Sequence, residues 1–172
     1  MNRSSPGSPI RESGPDAVRI EPLAKAMGVT RGGFYWHFTD RQALLEEMLD
    51  AWERAAIDDV LERVERTGGD PRTRARRAGA LTFGDELLEI DLALRDRARR
   101  DPAVADRLKR VDNRRMEYLR TQFRAICGNE GEVEARCLLA FSLLIGSHFI
   151  TADHGAQSRA DVLDEAGRWL FT

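Results

Sequence analysis

The sequence predicts an all-α protein, and three observations carry that prediction. Apolar residues recur at three- and four-residue spacing from about residue 20 onward, the period of a helix that buries one face. Strand-type alternation of apolar and polar residues is absent. Short runs of helix-breaking residues divide the periodic stretches: Gly28, then Gly68 to Pro71, then Asp101 and Pro102, then Gly128. With 172 residues, 42% of them hydrophobic and 33% charged, the chain can bury a core and is too apolar for global disorder. The formal net charge of -2 means that any contact with a polyanion has to be local.

The elements follow in order. Residues 1–15 hold Ser4, Ser5, Pro6, Gly7, Ser8, Pro9, Ser13, Gly14 and Pro15, a breaker-rich run expected to be a disordered leader. A short helix is expected over Glu21 to Met27, with Pro22 in its first turn and Gly28 as its stop. Val29 fills the turn, and Thr30 can cap a second short helix that carries Arg31, Gly32, Gly33, Phe34, Tyr35, Trp36 and His37. Helix, glycine-containing turn, helix is the helix-turn-helix pattern. Thr39 and Gln42 have capping-box spacing and start a long helix, whose stripe of Leu44, Leu45, Met48, Leu49, Trp52, Ala56, Val60, Leu61 and Val64 runs to about Arg66.

One or two helices fill 72–100. Asp101 and Pro102 restart the chain as N-cap and first helical residue of a helix with Val104, Leu108, Val111, Leu119, Phe123 and Ile126 on one side. The segment 132–152 is apolar nearly all round, and 159–171 forms the last helix with Val162, Leu163, Ala166, Trp169 and Leu170. These two helices need a partner, for which a second copy of the chain is the economical choice. The apolar run Leu138 to Ile150 is broken by Ser142, Gly146, Ser147 and His148 and is too short for a bilayer. Neither a membrane span nor a secretory signal is indicated. Cys127 and Cys137 lack metal spacing and suit a reduced, cytoplasmic pair.

The stretch LAKAMGVTRGGFYWHFTDRQALLEEML, residues 23–49, resembles the signature of the TetR family of bacterial transcription regulators. Shared features are the Leu-Ala pair, Gly-Val at the turn, Thr opening the second helix, the Tyr-x-His-Phe run and Ala-Leu-Leu after a basic residue. The resemblance is specific over about residues 14–50 and only architectural beyond. It implies a helix-turn-helix DNA-binding domain over 16–48 and a C-terminal helical bundle over 49–172 for ligand sensing and dimerisation. The expected partners are double-stranded operator DNA, a second copy joined through about 132–152 and 159–171, and a small-molecule effector of unknown identity. The expected role is a transcription repressor released from its operator by that effector.

The chemistry of the matched residues suits the same roles. Gly32 and Gly33 let the backbone approach the major groove. Thr30, Tyr35 and His37 can donate to phosphate oxygens, which fix register without reading sequence. Arg31 is the candidate for a guanine edge, and Trp36 for a thymine methyl or a sugar. Arg41, at the start of the long helix, and Arg19 suit phosphate. Phe34 and Phe38 are expected to close a core with Leu23, Met27 and Leu44. Cations exceed anions by two over residues 1–41, a modestly basic stretch in a net acidic chain.

Two departures from the family stand out. The span MNRSSPGSPIRES has only Met1 and Ile10 as large apolar residues, where the family carries an amphipathic first helix. That helix is therefore expected to be lost, replaced or misread through an incorrect start, which leaves a DNA-incompetent helical dimer, acting as a ligand-binding or protein-interaction module, as the alternative function. Val18 and Arg19 stand where the family commonly has a Ser or Thr cap.

In the bundle, Trp52, Leu87, Met116, Phe141 and His148 are the candidates for lining a ligand pocket, each weighed against ordinary core. His148, Asp153 and His154 fit no standard zinc spacing, so no metal and no cofactor is expected. Arg72, Arg74, Arg76 and Arg77 read as a solvated cationic face. With no nucleophile elbow, phosphate loop or paired acids at a glycine-rich loop, the chain is not expected to be an enzyme.

Overall fold

The structure, a computed structural model, describes residues 41–171. The leader, both short helices and the Thr39 cap fall outside the described residues. Gln42 is described, and its amide donates to Glu46 at 2.8 Å.

Helix α1 spans Arg41–Glu53 and passes without a break through a π-helical stretch, Arg54–Asp59, into α2, Val60–Thr67. The single long helix expected from the apolar stripe is thus present with one widened turn inside it. Ala56 and Ile57 of that turn are buried. A π turn shifts the register of the side chains that follow, and here it keeps both Ile57 and Val60 turned inward. The element stops where Gly68 takes φ 68 and Gly69 φ 116, values that side-chain-bearing residues rarely adopt.

Asp70 accepts from the Thr73 amide at 2.7 Å and Pro71 occupies the first turn, so α3 runs Pro71–Thr82. Helix α4 covers Asp85–Ala98. Asp101 caps α5, Pro102–Arg124, with its carboxylate on the Val104 amide at 3.4 Å, as the Asp-Pro pair predicts. Asn129 caps α6, Glu130–Gly146, through the Glu132 amide at 2.9 Å, and Ser158 caps α7, Arg159–Trp169.

The expected helix over 132–152 ends early. After Gly146 the chain closes short turns, His148 amide to Ile145 carbonyl and Phe149 amide to Gly146 carbonyl, while the Ser147 hydroxyl donates to the Leu144 carbonyl and competes with the helical ladder.

Helix α5 is the axis of the bundle and packs on α3, α4, α6 and the π turn. One core joins Leu44, Leu45, Met48, Leu49, Trp52, Ala56 and Ile57 to Ile90 and Leu94 of α4 and to Val104, Leu108 and Val111 of α5. A second joins Ala75, Leu119, Phe123, Val133, Cys137 and Ala140. Helix α7 buries no residue and packs on α6. The outer side of α6 is open to solvent in the single chain, with Leu138 62% and Leu139 57% exposed, so the all-round apolar character of this segment is not used up within one copy. Phe149, Ile150 and Trp169 are exposed as well.

Candidate functional site

Of the residues assigned to DNA, Arg19, Thr30, Arg31, Gly32, Gly33, Tyr35, Trp36 and His37 lie outside the described residues, and Arg41 opens α1. What is described is the helix that follows them in the chain. Leu44, Leu45, Met48 and Leu49 make α1 part of the main core from its first turn. On its polar side, Arg107 of α5 reaches three carboxylates one helical turn apart: Glu46 at 3.1 Å, Glu53 at 3.2 Å, and Asp50 between them. Burial pulls the Arg107 guanidinium down, but the hydrogen bonds and charges of Asp50 and Glu53 outweigh it and hold the cation more firmly than usual. Core contacts on one side and this strap on the other hold α1 against α5.

Behind α1 and α2 lies a cavity of about 30 Å³, walled by Ile57 and Val60, by Phe83 after α3, by Arg115 of α5 and by Phe141 and Leu144 of α6. Of the five residues expected to line a ligand pocket, Phe141 does so. Trp52 is buried beside it, with the Arg115 guanidinium carbon 5.8 Å from its ring centre. Leu87 and Met116 pack against separate apolar clusters, and His148 is exposed. Tyr118, also at the cavity, donates to Glu65 at 2.9 Å; burial first, then that carboxylate, pushes its phenol well above the ordinary range.

The polar wall of the cavity belongs to a buried ion network. Asp91 is fully buried and receives Arg115 Nη1 at 2.7 Å and Arg95 Nε at 2.7 Å. Arg95 grips Asp112 through both terminal nitrogens, at 2.9 and 2.8 Å. Desolvation works against the Arg95 cation, yet Asp112 and Asp91 more than offset it and its pKa is raised. Arg115 Nη1 also lies 3.4 Å from Asp112. Arg115 has two polar atoms left over: Nε and Nη2 are buried and have no hydrogen-bond partner, and neither does the indole Nε1 of Trp52.

None of Asp91, Arg95, Asp112 or Arg115 was singled out from the sequence. One signal was there. The inward stripe of α5, Val104, Leu108, Val111, Leu119 and Phe123, has its missing step at 115, where an arginine takes an apolar slot.

The arginine cluster on α3 is solvated in part. Arg74 pairs with Glu65 at 3.2 Å and Arg77 donates to the Gly68 carbonyl, while Arg72 and Arg76 are exposed, Arg76 with its guanidinium carbon 5.8 Å from the Phe171 ring centre. Among the described residues no group of His, Cys, Asp and Glu is placed to hold a metal ion, and no helix is long and apolar enough to cross a membrane.

Comparison with known proteins adds the N-terminal part. Residues 10–48 match the model of the bacterial regulatory proteins of the tetR family, a span that includes every residue assigned to DNA. The HTH-type transcriptional regulator AcrR of Shigella flexneri is 37% identical over 60 residues, 35% of this chain. The aligned part spans 28% of that relative's length. No solved structure matches.

Proposed function

We propose that the chain, whose residues 10–48 match the bacterial regulatory proteins of the tetR family, is a cytoplasmic transcription repressor that grips operator DNA as a homodimer and lets go when a small molecule enters the bundle. The observation that carries the reading is the match over residues 10–48; the reading assigns Thr30, Arg31, Gly32, Gly33, Tyr35, Trp36 and His37 to the operator, with Arg19 and Arg41 on its phosphates. The domain division is 16–48 for DNA and 49–172 for sensing and dimerisation, and α1, Arg41–Glu53, runs across it.

Dimerisation through α6 and α7 is supported by the exposed Leu138, Leu139 and Trp169, apolar surface that a second copy would cover. Release is supported by the wall of the cavity. Ile57 belongs to the π turn continuous with α1, and α1 follows directly on the segment assigned to DNA, so the reading has a molecule that prizes the cavity open act through α1. The effector has to prefer the displaced form for its binding to lower DNA affinity.

The test is an electrophoretic shift with the DNA upstream of the chain's own gene. Retardation that is sequence-selective and weakens steeply with salt is the expected result. A folded dimer that retards no DNA at low salt would instead make the chain a helical module for ligand or protein binding, the outcome that the breaker-rich span 1–13 favours.

A further inference from the structure

Arg115 is buried to 5% side-chain exposure, yet only one of its nitrogens is bonded. Nη1 is committed to Asp91 and Asp112, which leaves the Nε and Nη2 edge with no partner. That edge presents two parallel N–H groups, the geometry that matches both oxygens of a carboxylate. Arg115 lines the cavity, and the Trp52 indole N–H is a further buried donor beside the same guanidinium. The rest of the wall is almost entirely hydrocarbon, with Ile57, Val60, Phe83, Phe141 and Leu144 facing the space. Phe83 also lies 5.5 Å from the guanidinium carbon and steadies its plane.

We infer that the free edge of Arg115 is the recognition point for a small monocarboxylate with an apolar body, taken up between the π turn, α2, α3, α5 and α6. The inference rests on reading the bundle as a sensor and supplies the class of its effector. Buried donors without acceptors favour a ligand that brings the acceptor. The network itself supplies no free acceptor, because Asp91 and Asp112 are each held by Arg95 as well. A ligand ammonium would meet Arg115 and be repelled. A cavity of about 30 Å³ holds a water and not such an acid, so the acid enters by moving a wall. At one seam Gly79 lies against Leu144, where a Cβ would come to 3.0 Å from the leucine methyl. Parting α3 from α6 there, and the π turn from both, makes room and shifts α1.

Isothermal titration of the purified full chain with hexanoate and 3-phenylpropanoate, against hexylamine and hexanol, tests the inference. The acids are expected to bind one per chain and the amine not at all. Arg115→Lys keeps the charge beside Asp91 but loses the paired edge, and is expected to weaken acid binding by about tenfold or more. Should that variant fail to fold, the Nε resonance of Arg115 in the 15N-arginine-labelled wild type decides, since a bound carboxylate must move it. No binding by either acid, or binding that leaves this resonance and the lysine variant unaffected, overturns the inference. A gel shift on the same protein keeps the two readings apart. Acid binding without release of DNA leaves the site standing and removes its effector role, and absence of any DNA binding removes the regulator while the titration still judges the site.

Discussion

The two sides of α5 are finished to different degrees. Toward α1 and α4, Trp52, Ile57, Leu94, Val104 and Val111 are each at most 2% exposed. Toward α6 and α7, the inner stripe of Val133, Cys137 and Ala140 is sealed, but the outer face keeps Leu138, Leu139, Phe149, Ile150 and Trp169 in solvent. The first side buries the apolar stripe of α1 against α4 and α5 within one chain. The second leaves apolar surface uncovered in one chain, the surface proposed above as the seat of a second copy.

That contrast is broken most severely at Trp52. Trp52→Ala removes the largest fully buried side chain among the described residues and is expected to cost about 3–5 kcal/mol in urea unfolding. Trp169→Ala, on the open side, should leave the unfolding of the single chain nearly unchanged. Equal losses from the two would show that the sides do not differ as described.

Leu139→Glu sharpens the contrast from the other direction. It places a charge on the uncovered face, so the dimer dissociation constant from sedimentation equilibrium should rise by about two orders of magnitude while the helical content holds. A dimer of undiminished affinity would put the interface elsewhere.

A smaller effect reports the sealed inner stripe of α6. Burial, with the nearby Glu134 second, pushes the Cys137 thiol from 9.0 up to about 11. The folded chain therefore holds a proton that the unfolded chain gives up first. The associated stability is complete below pH 9.0 and is lost as the pH rises to about 11. Urea unfolding at pH 8 and pH 10.5, as test conditions, should show a drop that shrinks in Cys137→Ala; an unchanged drop would assign the alkaline loss to other groups, Tyr118 foremost.

Much of this arrangement was legible from spacing. The long stripe from Leu44 to Val64, the double-glycine stop and the Asp101-Pro102 start are local signals with local causes, and each reappears in α1, α2 and α5. The π turn was not legible, because one widened turn leaves apolar residues close enough in sequence to fit an ordinary helix. The ion network was hidden for a related reason. Asp91 and Arg95, four apart, and Asp112 and Arg115, three apart, have the spacing of solvent-exposed pairs, and only tertiary packing of α4 on α5 buries them. Of the pocket candidates read from the sequence, Phe141 lines the cavity, and an aromatic in an apolar helix is conspicuous. Arg115 was missed because a lone arginine in an apolar stripe is usually discounted as solvated at its tip.

Footprinting of the purified chain on the DNA upstream of its gene tests the regulator most directly. The predicted result is protection of a two-fold symmetric site, its half-sites about one helical turn or a multiple apart, weakened in Arg31→Ala and relieved by salt. A folded, dimeric protein that protects no segment even at low salt would contradict it.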